Sequence, residues 1–149
     1  MAPQNNMHGT AVVLGDRGVL ITGGSGSGKS TLALALMAEV RREGMFARLI
    51  SDDQLFLVAH SGRAVCSAPP AIAGLVEVRG VGPQAVLSER AAVVDLLVRL
   101  VLAGEAERFP EEATATLAGC QVACLDLAER NAAGAVAAVA ARLRLPPFV

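Results

Sequence analysis

Gly18-Val19-Leu20-Ile21-Thr22-Gly23-Gly24-Ser25-Gly26-Ser27-Gly28-Lys29-Ser30-Thr31 is the stretch whose reading decides the fold. A short β-branched run enters a glycine-rich loop, and Gly23-x-x-x-x-Gly28-Lys29-Ser30 meets the Walker A pattern at every fixed position. Glycines let backbone amides curl around an anion without Cβ obstruction. The loop then opens into a helix N-terminus, where unpaired N–H groups and the positive end of the dipole favour phosphate. In such a loop the lysine, here Lys29, reaches the β- and γ-phosphates, and the hydroxyl of Ser30 ligates Mg²⁺. Gly23, Gly24, Ser25, Gly26, Ser27, Gly28, Lys29, Ser30 and Thr31 are therefore the candidate contacts for a nucleoside triphosphate. Lys29 is the only lysine in the chain, which argues against a mere flexible turn. The glycines fall at 23, 24, 26 and 28, so the dinucleotide fingerprint Gly-x-Gly-x-x-Gly is not met.

Upstream of the loop, Thr10–Leu14 and residues 18–22 read as a hairpin with its turn at Asp16. Downstream, Leu32, Ala33, Leu36, Met37 and Val40 form one helical stripe over residues 29–42, and Gly44 supplies the stop. Residues 46–51 read as a buried strand. Residues 55–59 and Arg63–Ser67 read as a second strand pair around Ser61-Gly62, residues 69–74 as loop and 75–79 as a brief strand before a turn at Gly80 and Gly82. Residues 91–103 have the β-branched start of a strand and the length of a helix. Residues 121–126 read as a strand, and 129–143 as an alanine-rich helix ended by Pro146-Pro147. The expected fold is an α/β P-loop mononucleotide-binding core, a mixed sheet with flanking hairpins and few helices, in one domain over residues 1–149.

The chain has 149 residues, 53% of them hydrophobic and only 3% aromatic, with no Trp and no Tyr, so aliphatic side chains must fill its core. Its formal net charge is −1 and it lacks a basic block, which argues against nucleic acid as partner. Cys66, Cys120 and Cys124 lack the second ligand pair of a structural zinc site and read as small buried hydrophobes. No signal peptide is visible, and the longest apolar run, residues 132–141, is too short to span a bilayer. The expectation is a cytoplasmic protein with no membrane partner.

Two carboxylates, Asp52 and Asp53, follow the strand that ends at Ser51, where α/β sheets face their ligands. They could divide the labour, one holding magnesium-bound water and one taking a proton from an attacking hydroxyl. In Val76-Glu77-Val78-Arg79-Gly80-Val81-Gly82, strand alternation puts Glu77 and Arg79 on one face; from spacing alone they read as an exposed ion-pairing edge. His8, just before the first expected strand, reads as a surface residue.

Taken in order, His8-Gly9, the Gly18–Gly23 run, the P-loop, Asp52-Asp53 and Glu77-Val78-Arg79-Gly80-Val81-Gly82 resemble the catalytic domain of HPr kinase/phosphorylase over roughly residues 8–90. That bacterial enzyme phosphorylates a serine of the phosphocarrier HPr of the sugar phosphotransferase system. The resemblance implies ATP and Mg²⁺ as cofactors, Ser30 and Glu77 as metal ligands, and one of Asp52 and Asp53 as base, Asp53 being the first choice. It implies catalytic roles for Lys29 and Arg79, and for His8 a place beside the aspartates. It also implies HPr as protein partner and a homo-oligomer, a hexamer in this family. Longer members carry an N-terminal domain that does not precede His8 here, so the chain is similar to the short form found in some proteobacteria. An insertion near Glu39 to Glu43 lengthens the P-loop helix relative to the family pattern. The residues after about 90 do not show the family's phosphorolysis segment, and Arg99 and Arg108 are the candidates for its late catalytic arginine. Kinase activity is implied; phosphorylase activity is not.

Two other classes share the P-loop. A small-molecule kinase would carry an arginine-rich lid, which is not evident here. A non-catalytic ATP-binding regulator of a signalling partner would be indifferent to neutralising Asp52 and Asp53. With no Trp or Tyr to stack on a base, weak discrimination between purine nucleotides is expected.

Overall fold

The computed structural model describes residues 5–108 and 110–148. The elements run β1 (Asn5–His8), β2 (Thr10–Leu14), β3 (Arg17–Thr22), α1 (Lys29–Arg42), β4 (Ala47–Ser51), β5 (Gln54–His60) and β6 (Arg63–Ser67). They continue with β7 (Leu75–Val78), β8 (Gly82–Ala85), β9 (Ala91–Val101), β10 (Ala113–Leu117), β11 (Cys120–Ala128) and α2 (Ala132–Leu143). Short 3-10 turns lie at Pro70–Ile72 and Ala103–Glu105.

A nine-stranded mixed sheet carries the fold, in the order β1-β5-β6-β9-β3-β2-β4, with β11 also on β9 and β10 on β11; β7 and β8 form a separate hairpin. β9 is the hinge of this arrangement. Its first residues pair antiparallel with β6, while its second half pairs parallel with β3 on one side and β11 on the other. Alternation decides what each strand buries. Val19 and Ile21 of β3, with Val12, Leu14, Leu96 and Val98, face the packed helices α1 and α2. Leu20, Ala11 and Leu97 face the other way, into a second cluster with Ile50, Leu55, Leu57 and Val122. A sheet covered on both faces reads in sequence as continuous apolar runs, which is why β3 is Gly18-Val-Leu-Ile rather than alternating.

The hairpins follow their turn chemistry. Ser61 and Gly62 both have positive φ, 51° and 78°, the two left-handed residues of a turn that matches strand twist between β5 and β6. The stripe Leu32, Ala33, Leu36, Met37 and Val40 is the buried face of α1 as expected.

The stretch that reads either as strand or as helix is the strand β9, Ala91–Val101; Val93, Val94 and Val98 favour it and both its edges are paired. Three expectations need correction. The last helix starts at Ala132, three residues later than expected, because Asn131 is its N-cap, its side chain accepting from the Gly134 N–H at 3.2 Å. His8 lies within a strand, β1, paired with β5, rather than ahead of the first one. Arg79 falls in the turn beyond β7, so strand alternation does not place it with Glu77. β10 was not foreseen; its Ala113-Thr-Ala-Thr-Leu117 is short and half exposed. The three cysteines are free and buried, as read from the sequence.

Candidate active site

The loop between β3 and α1 is shaped by glycine at the positions where a side chain would intrude. Gly28 has φ 97°, a conformation L residues avoid, and it serves as N-cap of α1 without any side-chain cap. A Cβ on Gly23 would come within 2.6 Å of Ser27 Oγ. The first turn of α1 carries no acidic residue, so its N–H groups and positive dipole end are not offset by a carboxylate of their own. Ser27 Oγ is buried and has no hydrogen-bond partner among the described residues. Lys29, itself buried, folds its Nζ over the loop and donates to the carbonyls of Gly23 (3.1 Å) and Gly24 (3.2 Å). An unsatisfied buried hydroxyl, an ammonium and open helix N–H groups fit a polyphosphate chain.

Beyond the loop, β4 delivers the two aspartates, and the structure separates them. Asp52 is buried and its carboxylate is fully engaged. Oδ1 accepts from Ser30 Oγ at 2.6 Å and from Thr10 Oγ1 at 2.9 Å, and Oδ2 accepts from the Glu77 backbone N–H at 2.9 Å. Asp53 leaves the strand with φ 70°, fixed there by two bonds to β2 and its approach: its N–H donates to Thr10 Oγ1 at 3.1 Å, and its carbonyl accepts from Gly9 N–H at 2.9 Å. Its side chain is 65% exposed, with one carboxylate oxygen 3.8 Å from His8 Nδ1. One carboxylate is thus held as a structural acceptor beside the P-loop serine, and its neighbour is presented to solvent with a histidine beside it.

The expected site residues therefore converge: Lys29, Ser30, Asp52, Asp53, His8 and the backbone of Glu77 surround one end of the P-loop. Among the described residues no group of three or more His, Cys, Asp or Glu forms a ready-made metal cage. Mg²⁺ does not need one, since it keeps waters and takes phosphate oxygens with one or two protein ligands; the Ser30 hydroxyl, whose proton is turned to Asp52, keeps its lone pairs for such a role. Arg79 is on the wall of a cavity of about 480 Å³ at the Gly26–Gly28 side of the loop, which neither aspartate lines. Arg99, a candidate late arginine, is instead occupied by Asp126, donating at 2.7 and 3.3 Å. That pairing holds its guanidinium above its ordinary pKa. Arg108 does not line that cavity either.

Arg130 was missed. It sits at the junction of β11 and α2 with φ 56°, its N–H donating to the Ser27 carbonyl (3.0 Å) and its Nε to the Gly26 carbonyl (3.0 Å). The sequence places this residue inside an apparent helix, and nothing in the local pattern links it to a loop 104 positions away.

A family model described as the HPr serine kinase C-terminal domain matches residues 1–109. The HPr kinase/phosphorylase of Clostridium botulinum (strain Eklund 17B / Type B) is 39% identical over 82 residues, covering 55% of this chain and 25% of that protein. The HPr kinase/phosphorylase of Limosilactobacillus reuteri (strain DSM 20016) is 42% identical over 83 residues, covering 55% and 24%. The matched part thus spans about a quarter of the length of the curated relatives. Among solved structures, one titled as the Hpr(Ser) kinase/phosphatase from Coxiella burnetii superposes with a TM-score of 0.78 at 24% identity, covering 94% of this chain and 96% of that one, and so shares the fold. The P-loop, the Asp52-Asp53 pair and the Glu77–Gly82 element all lie within the residues that the family model matches, and the chain belongs to the HPr serine kinase C-terminal domain family.

Proposed function

We propose that this chain is an ATP-dependent protein serine kinase that phosphorylates HPr. The observation that carries the reading is the division between Asp52, buried and hydrogen-bonded to Ser30, and Asp53, exposed beside His8. The relatives supply the acceptor, since they are named for HPr.

In this reading the triphosphate lies along the loop amides of Gly24–Lys29, with Lys29 leaving the Gly23 and Gly24 carbonyls for the β- and γ-phosphates. Ser30 and Glu77 would hold Mg²⁺, which when bound supplies charge neutralisation at the β- and γ-phosphate oxygens. Asp52 accepts the hydrogen bond of the Ser30 hydroxyl, so the oxygen lone pairs of Ser30 point away from it. The acceptor seryl oxygen attacks the γ-phosphorus in line. A new O–P bond forms, the bond from phosphorus to the β–γ bridging oxygen breaks, ADP leaves, and the seryl proton passes to Asp53 and on to solvent. His8, 3.8 Å from that carboxylate, orients it. Positioning and charge stabilisation supply most of the rate in such transfers. Self-association, as a hexamer, belongs to the reading, and light scattering that finds a monomer at high concentration would count against that part. None of the helices in the described residues is long and apolar enough to cross a membrane.

The test is transfer from ATP, radiolabelled in its γ-phosphate, to purified HPr and to a variant whose target serine is alanine. Label on wild-type HPr alone, lost with Lys29→Ala in this protein, supports the reading. ATP binding without transfer would move the protein to another acceptor or to a non-catalytic switch.

A further inference from the structure

We propose that the β11–α2 junction builds the nucleoside half of the ATP site, a purine nucleoside seat formed by residues beyond the part that the family model matches. This rests on the kinase reading for the triphosphate end and extends it to the other end of the ligand.

The cavity of about 480 Å³ is bounded on one side by Gly26, Ser27, Gly28 and Thr31 of the loop and first turn of α1. That volume falls within the roughly 300–1,000 Å³ of small-molecule sites. Neither Ser30 nor Asp52 nor Asp53 lines it, so it is not where the phosphoryl acceptor meets its base. A triphosphate whose γ end lies at Ser30 must direct its α-phosphate and sugar the other way, towards this space. Ser27, buried with its hydroxyl unpartnered, lies in the shared wall.

The far wall is apolar and small: Leu100, Ala128, Ala132 and Ala135, with Arg130 and Asn131 beside them. Four residues with short or aliphatic side chains leave room for a flat base and bring no fixed hydrogen-bonding pattern to its edge. Arg130 and Arg79 add positive charge, and neither has a carboxylate partner among the described residues. Two such cations flanking a P-loop suit an anionic ligand and not an apolar peptide. Arg130 also explains how the two halves stay in register. Its backbone and side chain both bond the loop, at Ser27 and Gly26, so the junction is tied to the phosphate cradle. Its guanidinium plane is a flat surface of the kind on which a purine stacks, in a chain that has no Trp or Tyr. Arg130 thus both contacts the base and ties the junction to the loop, and the base is held by shape and stacking; ATP and GTP then bind within about tenfold of each other.

Titration calorimetry on the full chain, with ATP, GTP and inorganic tripolyphosphate as Mg²⁺ complexes, separates the two halves. Ala132→Leu and Ala132→Met fill the cavity from the first position of α2, where both residues are good helix formers. Each should lower ATP and GTP affinity by about tenfold or more and leave tripolyphosphate within about twofold, with an unchanged thermal midpoint. Arg130→Gln should weaken ATP more than tripolyphosphate. Fillers that bind ATP as the wild type does overturn the proposal. So does a wild type that binds tripolyphosphate as tightly as ATP, which leaves the P-loop reading standing. A wild type that binds neither ligand overturns the kinase reading and the nucleoside seat together.

Discussion

Ser30 and Asp52, 22 positions apart, share a hydrogen bond of 2.6 Å in which the serine hydroxyl donates to Oδ1. The same oxygen accepts from Thr10, and the other from the Glu77 amide, so three segments of chain converge on one buried carboxylate. Asp52 is held by its neighbours and holds Ser30 in turn. A group so engaged is poorly placed to receive a further proton from a substrate. Asp53, whose side chain is exposed, is free to do so.

The two aspartates should therefore fail differently. Asp53→Asn should cut phosphoryl transfer by about 100-fold or more while leaving ATP affinity unchanged, since a positioned base contributes roughly 10²–10⁴ to such steps. Asp52→Asn should weaken Mg²⁺-dependent ATP binding and lower the melting temperature. Single-turnover transfer and calorimetry on both variants check this, and equal losses in both readouts would refute the division.

Thr10 is buried completely and joins both aspartates, donating to Asp52 and accepting from the Asp53 amide. Thr10→Val keeps the shape and strips both bonds. It should cost about 1–3 kcal/mol in urea unfolding, the penalty of stripping a partner from the buried Asp52 carboxylate and from the part-buried Asp53 amide, and should lower kcat through the displaced Asp53.

Arg99 should prove dispensable for nucleotide. Its exposed pair with Asp126 lies outside the cavity, so Arg99→Ala should leave ATP affinity within about twofold and shift stability by about 1 kcal/mol or less. Calorimetry and urea midpoints are the measurements.

Cys66 gives the alkaline limb of stability. Burial pushes its thiol from 9.0 up to about 12, so in the folded protein it holds its proton where the unfolded chain has lost it. Its contribution is fully present below pH 9 and fades as pH rises towards 12. Between pH 8 and 10 the wild type should lose about 1.4 kcal/mol more than Cys66→Ala does, in denaturant titrations at each pH.

Much of this was legible in the chain. The loop, its helix stripe and the hairpins around Asp16 and Ser61-Gly62 follow from local rules: glycine where φ must be positive, periodicity where one face is buried. The different fates of Asp52 and Asp53 were not, because identical adjacent side chains carry no mark of environment. Their roles are set by Thr10, Ser30 and the Glu77 amide, which only the fold brings near. The segment 91–103 was ambiguous because a long strand with both edges paired is apolar along most of its length, as a buried helix is, with only Asp95 and Arg99 interrupting the run. Arg130 was invisible because its significance is a long-range contact made by a residue in a left-handed turn.

The pairing of β9 has a bearing on how this chain acquires its structure. β3 finds its parallel neighbour only when Leu96 aligns with Val19, and β9 in turn is closed on its other edge by β11, with Leu97 opposite Cys124. Contacts this distant in sequence make folding slow and leave it incomplete until the last quarter of the chain has emerged from the ribosome. A fragment ending at residue 109 would keep the P-loop and both aspartates, yet would expose a long apolar strand edge and the sheet face that α2 covers. It should aggregate rather than bind ATP. The P-loop half of this fold is not a separable part; it is completed by β11 and α2.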